Sequence, residues 1–277
     1  MHRVEALASR PIGVFDSGIG GLTVLRSLVG RLPGESFLYL GDTARLPSGT
    51  KSPETVRRYA EQAAARLVDR GVKLLVIACN TASAVAVDHL RARFAPIPVV
   101  GVVEPGAEAV ARISPSGQIL VCATEGTVRG GAYERAIRAR RPDAAVISLP
   151  CPLFVALAEE GWVDGPIAEA IARRYLQPVL REHPAIDSLV LGCTHFPVLR
   201  QAIAAAAGPA VALVDSAETT SLVVERLLAE AGLHRPPGAG RGAVRFLATD
   251  APQRFARVGA VFLGEAIATT GVELVDL

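Results

Sequence analysis

No apolar run in this sequence reaches the roughly 20 residues that a membrane-spanning helix requires. The first ten residues, MHRVEALASR, also lack the apolar core of a secretory signal peptide. We therefore expect no membrane partner and a cytoplasmic location. At 277 residues the chain is long enough for one large domain or two of medium size, and two halves are the working hypothesis.

Cysteine and lysine are both scarce. The four cysteines, at positions 79, 122, 151 and 193, are too few and too widely spaced for a disulfide scaffold in a chain of this length. Reduced thiols are therefore expected. Lys51 and Lys73 are the only lysines among 29 basic residues. A pyridoxal cofactor needs a lysine for covalent attachment, although the positions of these two do not exclude it by themselves.

The sequence also lacks a strong excess of either charge. Its 29 basic and 27 acidic side chains give a net charge of +2 at pH 7, and no basic run is longer than RARR at 138–141. A nucleic-acid-binding face normally carries a clustered basic patch. We therefore expect no nucleic-acid partner.

What the sequence does contain is a series of short apolar runs that alternate with longer stretches of helical period. Continuous apolarity is typical of strands covered on both faces, as in a parallel sheet between helices. The alternation predicts an α/β, doubly wound fold. The predicted strands are 11–16, 36–42, 73–79, 98–103, 118–124, 144–150, 188–193 and 211–216.

Two pairs of segments repeat within the chain. LLVIACNTAS at 74–83 is matched by SLVLGCTHFP at 188–197, and VFDS at 14–17 by LVDS at 213–216. We predict two similar α/β domains with mainly parallel sheets, one formed by residues 1–103 with 213–277 and the other by residues 104–212. Because open α/β sheets bind ligands beyond the carboxyl ends of their strands, the site is predicted in the cleft between the domains.

The two repeated cysteines, Cys79 and Cys193, admit several functions. They could be small buried hydrophobes, the interpretation favoured for Cys122 and Cys151. They could bind zinc together with His195, although paired ligand spacings and a fourth donor are lacking. They could form a disulfide, or Cys193 could be a lone nucleophile assisted by His195. Finally, one thiolate could remove a proton from carbon while the opposite thiol returns one to the other face.

Proton transfer by thiols requires helper groups, because the pKa of an unperturbed cysteine is about 8.5 and the base must be the thiolate. Asp16 beside one cysteine and His195 beside the other can accept or stabilise a proton, and Glu159 can orient His195. The polar groups that follow the cysteines can hold the carboxylate and amine of a substrate; these are Asn80, Thr81 and Thr194.

A glycine-rich segment, DSGIGGLTVLRSL at 16–28, joins a predicted strand to an amphipathic helix. Its backbone N–H groups can approach an anion at the helix N-terminus. The alternative is a turn that serves only to pack the helix on the strand. The segment lacks the G-x-G-x-x-G spacing and the lysine of a phosphate-binding loop, so it is weak evidence for a nucleotide.

Six segments together resemble the glutamate racemases, within the wider aspartate/glutamate racemase group, in order and over essentially the whole chain. The resemblance implies a cofactor-independent racemase, without metal, that interconverts L- and D-glutamate, supplies peptidoglycan synthesis and forms a homodimer. The segments are DSGIGG (16–21), GDTARLPSG (41–49), ACNTAS (78–83), PVVGVVEPG (98–106), CPLFVALAEEG (151–161) and LGCTHFPVL (191–199).

Position by position, the resemblance implies that Cys79 and Cys193 are the acid/base thiols. Asp16 then assists Cys79, and His195 with Glu159 assists Cys193. Glu159 is chosen over Glu160 because it keeps the distance of the motif from Cys151. The implied substrate-binding residues are Asp16, Ser17, Pro47, Ser48, Gly49, Asn80, Thr81, Thr124, Thr127, Thr194 and His195.

The chain departs from the family pattern at two places. Ser48 stands where the family usually has tyrosine, and Gly130 where it usually has serine. We expect the change at Ser48 to be minor if only the backbone of its loop contacts substrate, and to widen the pocket otherwise. Two alternatives therefore stay open. One is a relative that acts on aspartate or a hydantoin, and the other is a two-lobed amino-acid-binding protein that has lost turnover.

Overall fold

The computed structural model describes residues 6–236 and 238–277, so residues 1–5 and Pro237, which fall in the predicted first domain, lie outside the described part. Each of the eight apolar runs forms a strand, as predicted. These strands are β1 (Ile12–Asp16), β2 (Phe37–Gly41), β3 (Leu74–Ile77), β4 (Val99–Gly101), β5 (Gln118–Ala123), β6 (Ala145–Pro150), β7 (Ser188–Gly192) and β8 (Ala212–Asp215). Two strands were not predicted: β9 (Val244–Ala248) and β10 (Val272–Leu274).

Helices follow nearly every strand. They are α1 (Leu22–Arg31), α2 (Pro53–Asp69), α3 (Asn80–Phe94), α4 (Val103–Ile113), α5 (Glu125–Gly130), α6 (Ala132–Arg140), α7 (Pro152–Glu159), α8 (Gly165–Glu182), α9 (Arg200–Ala207), α10 (Ser216–Ala231) and α11 (Pro252–Leu263). Short 3₁₀ turns occur at Thr43–Arg45, Ser48–Thr50, Phe196–Leu199 and Thr269–Gly271. Within the described ranges, no helix has the length and apolarity needed to cross a membrane.

The strands form two parallel sheets. The first has six strands in the order β10-β9-β2-β1-β3-β4, and the second has four in the order β6-β5-β7-β8. Every recorded strand pairing is parallel. Strands β1, β2, β3 and β7 are buried along their whole length, as strands covered by helices on both faces must be. The predicted α/β class with parallel sheets is therefore confirmed.

Strand β8 crosses one of the predicted domain boundaries. Leu213 and Val214 pair with Leu189 and Val190 of β7, because this edge offers β8 a parallel partner for its backbone hydrogen bonds. Residues 213–215, which the sequence assigned to the first domain, therefore belong to the second sheet. The remainder of the predicted division stays a proposal.

Helices α1 and α10 pack against each other and join the two sheets. Ser27 on α1 donates a hydrogen bond to Ser221 on α10 at 3.0 Å, and Thr23 on α1 donates to the Thr194 carbonyl at 2.8 Å. Arg31 forms an ion pair with Glu225 at 3.0 Å. These contacts fix the carboxyl ends of the two sheets beside one another.

A buried ion pair lies at the opposite, amino end of β3. The side chain of Lys73 is 0% exposed, and its ammonium lies 2.5 Å from the carboxylate of Glu35, which is 3% exposed. The same nitrogen donates to the carbonyls of Ala8 at 2.6 Å and Leu233 at 2.7 Å. Three acceptors match its three N–H groups, so this buried charge is fully paired.

Candidate active site

The candidate site lies at the points where the strand order reverses in the two sheets. In the first sheet the chain passes from β1 to β2 on one side and then to β3 on the other. In the second sheet β5 is likewise flanked by β6 and β7. Ligands of open α/β sheets bind at such switch points. Asp16 ends β1 and Cys79 follows β3, while Thr124 follows β5 and Cys193 follows β7.

Cys79 lies between a hydroxyl and the start of a helix. Its sulfur is 3.1 Å from Ser17 Oγ and accepts a hydrogen bond from the backbone N–H of Ala82 at 3.4 Å. Burial, and after it the negative charge of Asp16, raises the pKa of Cys79 to about 12. A charge on Cys193 adds to this rise, so the two sulfurs interact electrostatically. Cys79 is therefore a neutral thiol at pH 7, ready to act as an acid.

Asp16 lies beside this thiol with one oxygen occupied and one free. Its Oδ2 accepts a hydrogen bond from Gly18 N–H at 3.0 Å, whereas Oδ1 is buried without a hydrogen-bond partner in the described part of the chain. Burial raises the pKa of Asp16, and the positive charge of His195 partly offsets that rise. Unpaired buried oxygens are rare in native proteins and often mark functional groups.

A chain of polar contacts runs from Cys193 to the protein surface. Cys193 Sγ lies 3.8 Å from His195 Nδ1, and His195 Nε2 lies 3.1 Å from Glu159 Oε1. The other carboxylate oxygen, Oε2, accepts a hydrogen bond from Arg254 at 2.7 Å. Glu159 and His195, paired from the sequence, are thus in contact, whereas Glu160 is exposed.

The charges along this chain are fixed by its hydrogen bonds. Burial alone lowers the pKa of His195, but its contacts with Cys193 and Glu159 outweigh burial and raise the pKa to about 10. The hydrogen bond from His195, aided by Arg254, lowers the pKa of Glu159 to about 2. The stabilisation from His195 is complete below its ordinary pKa of 6.5 and is lost as pH rises through about 10. That from Glu159 is complete above 4.5 and is lost as pH falls through about 2.

This charge state can be measured by NMR of the imidazole nitrogens across the pH range. His195 should remain an imidazolium up to about pH 9, whereas an ordinary histidine loses its proton near pH 6.5. Substitution of Glu159 by glutamine removes the carboxylate and should lower the pKa of His195. The matched control is Glu160→Gln, which should leave the titration unchanged. A titration of His195 near pH 6.5 in the unsubstituted protein would contradict this assignment.

Polar side chains that follow strands of the two sheets contact one another. Thr81 Oγ1 lies 3.1 Å from Thr124 Oγ1 and 3.2 Å from Thr127 Oγ1. Asn80 Oδ1 accepts a hydrogen bond from Tyr133 at 2.7 Å, and Asn80 Nδ2 is buried without a partner among the described residues. Because Tyr133 fixes the orientation of the Asn80 amide, the N–H groups of Asn80 Nδ2 remain available to a bound acceptor.

The segment around Ser48 reaches the second sheet through its backbone. A Cβ built on Gly49 would lie 3.1 Å from Thr124 Cβ, and one built on Gly126 would lie 2.6 Å from the Gly49 carbonyl oxygen. Pro47 accepts a hydrogen bond from Lys51 Nζ at 3.0 Å. Around Gly130 a Cβ would meet nothing within 4 Å, so the serine usual in the family would also fit there.

The glycine-rich turn packs directly on the chain of contacts formed by Cys193, His195 and Glu159, which we call the relay at Cys193. A Cβ on Gly20 would lie 2.4 Å from His195 Nδ1 and 2.6 Å from Thr194 Oγ1, and one on Gly21 would lie 2.4 Å from Asp16 Cβ. Such distances are too short for a side chain, so both glycines are required by close approach. This contact favours the packing interpretation of the segment.

Sequence reasoning missed two residues of the site. Tyr133 and Arg254 reach Asn80 and Glu159 from helices that are distant in sequence, 53 and 95 positions away. Neither lies in a strand-end motif or was implied by the family resemblance, and these were the two signals used to find the other residues. Only the packing of α6 and α11 brings them into contact with the site.

Three comparisons with known proteins agree. A family model described as Asp/Glu/Hydantoin racemase matches residues 12–221. A glutamate racemase of Geobacter metallireducens is 51% identical over 92% of this chain and 93% of its own. A glutamate racemase of Syntrophus aciditrophicus is 46% identical over 96% of this chain and 97% of its own length. A crystal structure of glutamate racemase from Francisella tularensis in complex with D-glutamate superimposes with a TM-score of 0.88, at 39% identity over 97% of this chain and 98% of that one.

Proposed function

This chain belongs to the Asp/Glu/Hydantoin racemase family and is an isomerase, and from that premise we propose that it interconverts L- and D-glutamate through two thiols, Cys79 and Cys193. The similarity to glutamate racemases supports glutamate as the substrate. The observation that carries the two-thiol mechanism is that each cysteine follows a strand at the switch point of its own sheet and has its own helper groups.

In one direction Cys193, as the thiolate, removes the α-proton of the substrate. The α C–H bond breaks, an S–H bond forms at Cys193, and the electron pair stays on the α-carbon. Cys79 then donates its proton to the opposite face of that carbon and becomes the thiolate. The reverse direction uses the same atoms with exchanged roles. Because the pKa of Cys79 is about 12, the resting enzyme carries the proton that this first direction needs.

The helper groups differ on the two sides. The His195 imidazolium lies 3.8 Å from Cys193 and places positive charge beside that sulfur. On the other side one oxygen of Asp16 has no hydrogen-bond partner among the described residues and the pKa of Asp16 is raised, so in the reverse direction Asp16 can take the proton that Cys79 loses before the thiolate acts as base. Both sides lie in a low-dielectric interior, where fixed charges act more strongly on a developing carbanion than they do in water.

The substrate is held by two polar atoms that have no hydrogen-bond partner within residues 6–236 and 238–277. Asn80 Nδ2 can donate to a substrate carboxylate, and Asp16 Oδ1 can accept from the ammonium group. We assign binding also to the other predicted residues, which the resemblance to the glutamate racemases implies. They are Ser17, Pro47, Ser48, Gly49, Thr81, Thr124, Thr127, Thr194 and His195.

The mechanism needs no pyridoxal. Lys73 lies at the start of β3, opposite the thiols, with its three N–H groups occupied. Lys51 donates to the Pro47 carbonyl. We also propose that the protein supplies D-glutamate for peptidoglycan synthesis, forms a homodimer and is located in the cytoplasm. All four cysteines are free, and a mechanism that requires reduced thiols fits a reducing compartment.

The direct test is incubation of the purified protein with L-glutamate and no added pyridoxal, followed by circular dichroism of the solution. The optical signal should decay to zero, and kcat/KM for glutamate should exceed that for aspartate by roughly 10-fold or more, the discrimination that one methylene gives. Equal or better turnover of aspartate would reassign the substrate. Tight glutamate binding without decay of the signal would contradict an enzymatic function.

A further inference from the structure

Arg254 connects the first sheet's helical layer to the relay at Cys193. It lies on α11, which follows β9 of the first sheet, whereas Glu159 ends α7, which follows β6 of the second. Arg254 Nη2 donates to Glu159 Oε2 at 2.7 Å, and the other oxygen of the same carboxylate lies 3.1 Å from His195 Nε2. Each oxygen of Glu159 therefore has its own partner, one from each half of the molecule.

A second residue of α11 supports the same relay. The ring of Phe262 packs edge-on against the imidazole of His195, with ring centroids 5.0 Å apart and planes at 74°. Phe262 lies eight positions after Arg254 on this helix, about 12 Å along the axis. One rigid helix therefore contacts both the histidine and the carboxylate that orients it.

We propose that Arg254 is a positioning residue for the proton transfer at Cys193 and not for that at Cys79. It holds the Glu159 carboxylate so that its second oxygen keeps His195 against the Cys193 sulfur. This proposal rests on the two-thiol function proposed above. The contact between Cys193 and His195 is already long, so a small rotation of the ring separates the two groups.

The ion pair between Arg254 and Glu159 fixes the orientation of the carboxylate and contributes little to the stability of the fold. The side chains of Arg254 and Glu159 are 42% and 21% exposed, and ion pairs this open to solvent contribute little to stability. Loss of Arg254 should therefore leave the fold intact. Without it, the carboxylate is free to turn, and His195 loses its fixed orientation.

Steady-state kinetics cannot show at which face of the α-carbon an Arg254 substitution slows proton transfer. The equilibrium constant of a racemisation is 1, so kcat/KM falls equally in both directions whichever step is slowed. Variants that keep a single thiol do separate the faces. A lone thiolate removes the α-proton of one enantiomer and returns solvent hydrogen to the same face, so exchange without inversion reports that thiol alone.

The experiment introduces Arg254→Gln into Cys79→Ala and into Cys193→Ala, and measures deuterium incorporation from heavy water into each glutamate enantiomer by proton NMR. Where Cys193 acts alone, Arg254→Gln should slow exchange by roughly 10-fold or more. Where Cys79 acts alone, the change should stay below about 2-fold. In a Glu159→Gln background the Arg254 substitution should add nothing, since both act through one group.

Arg257→Gln is the matched control, because this arginine is exposed on the same helix and has no ion pair within the described ranges. It should alter neither exchange rate. Thermal melts of all variants check the fold, and Arg254→Lys, which keeps the charge, should restore part of the rate. Equal losses on both faces, or none on either, would overturn the positioning role. Absence of exchange in both single-thiol parents would refute the two-thiol mechanism, and this proposal with it.

Discussion

Replacement of either Cys79 or Cys193 by alanine should abolish inversion of glutamate, with a fall in kcat of at least about 1000-fold. Each variant should nevertheless exchange the α-proton of one enantiomer, and the two variants should act on opposite enantiomers. The reason is that a carbanion formed at one face can then be reprotonated only at that face. Circular dichroism measures the inversion, and proton NMR in heavy water measures the exchange.

Cys122→Ala is the control for this pair. Cys122 is fully buried on β5 and, in our interpretation, is a small hydrophobe, so its replacement should cost stability and not chemistry. We expect kcat to stay within about 3-fold of the unsubstituted protein. Retained inversion in both Cys79→Ala and Cys193→Ala would refute the assignment of the two thiols.

Substitution of Lys73 by alanine should lower the free energy of unfolding by about 3–5 kcal/mol. It removes the cation that pairs with Glu35 and leaves that carboxylate buried, together with the carbonyls of Ala8 and Leu233. Removal of one partner of a buried pair is costly because the other charge has no water to replace it. Urea unfolding followed by far-ultraviolet circular dichroism measures the change.

Lys51→Ala is the comparison, because this lysine is only partly buried and its ammonium donates to a single carbonyl, that of Pro47. The expected change is below about 0.5 kcal/mol. The double substitution Lys73→Met with Glu35→Leu should cost less than Lys73→Ala alone, since no charge then stays unpaired. A loss below about 1 kcal/mol in Lys73→Ala would show that water reaches Glu35.

Much of the fold could be predicted because buried parallel strands have a clear sequence signature. Strands β1 to β8 each coincide with a continuous apolar run. Strands β9 and β10 were missed for physical reasons. Arg245 interrupts β9, and β10 has three residues with Glu273 in the middle, since both strands are partly open to solvent near the sheet edge. The sequence predicted strand β8 but not the sheet to which it belongs, because the sequence of one strand does not show which strand it pairs with.

The site could be predicted as far as strand ends determine it. The strand-end motifs give Asp16, Cys79 and Cys193 by the rule that ligands lie beyond the carboxyl ends of parallel strands, whereas Thr124 was implied only by the resemblance to the glutamate racemases. The contacts across the two sheets do not follow from it. Tyr133 and Arg254 approach through helix packing, which depends on the complete arrangement of both halves.

The placement of β9 beside β2 also bears on how the newly made chain assembles. The two strands of this pair are about 207 positions apart, the separation recorded between Ser36 and Ala243. As the polypeptide leaves the ribosome, all four strands of the second sheet are available once residue 215 has emerged, whereas β2 still presents a bare edge. An unpaired strand edge can form hydrogen bonds with incorrect strands of the same chain or of another chain. The second sheet can therefore form first, whereas the first sheet is complete only after β9 and β10 have been synthesised.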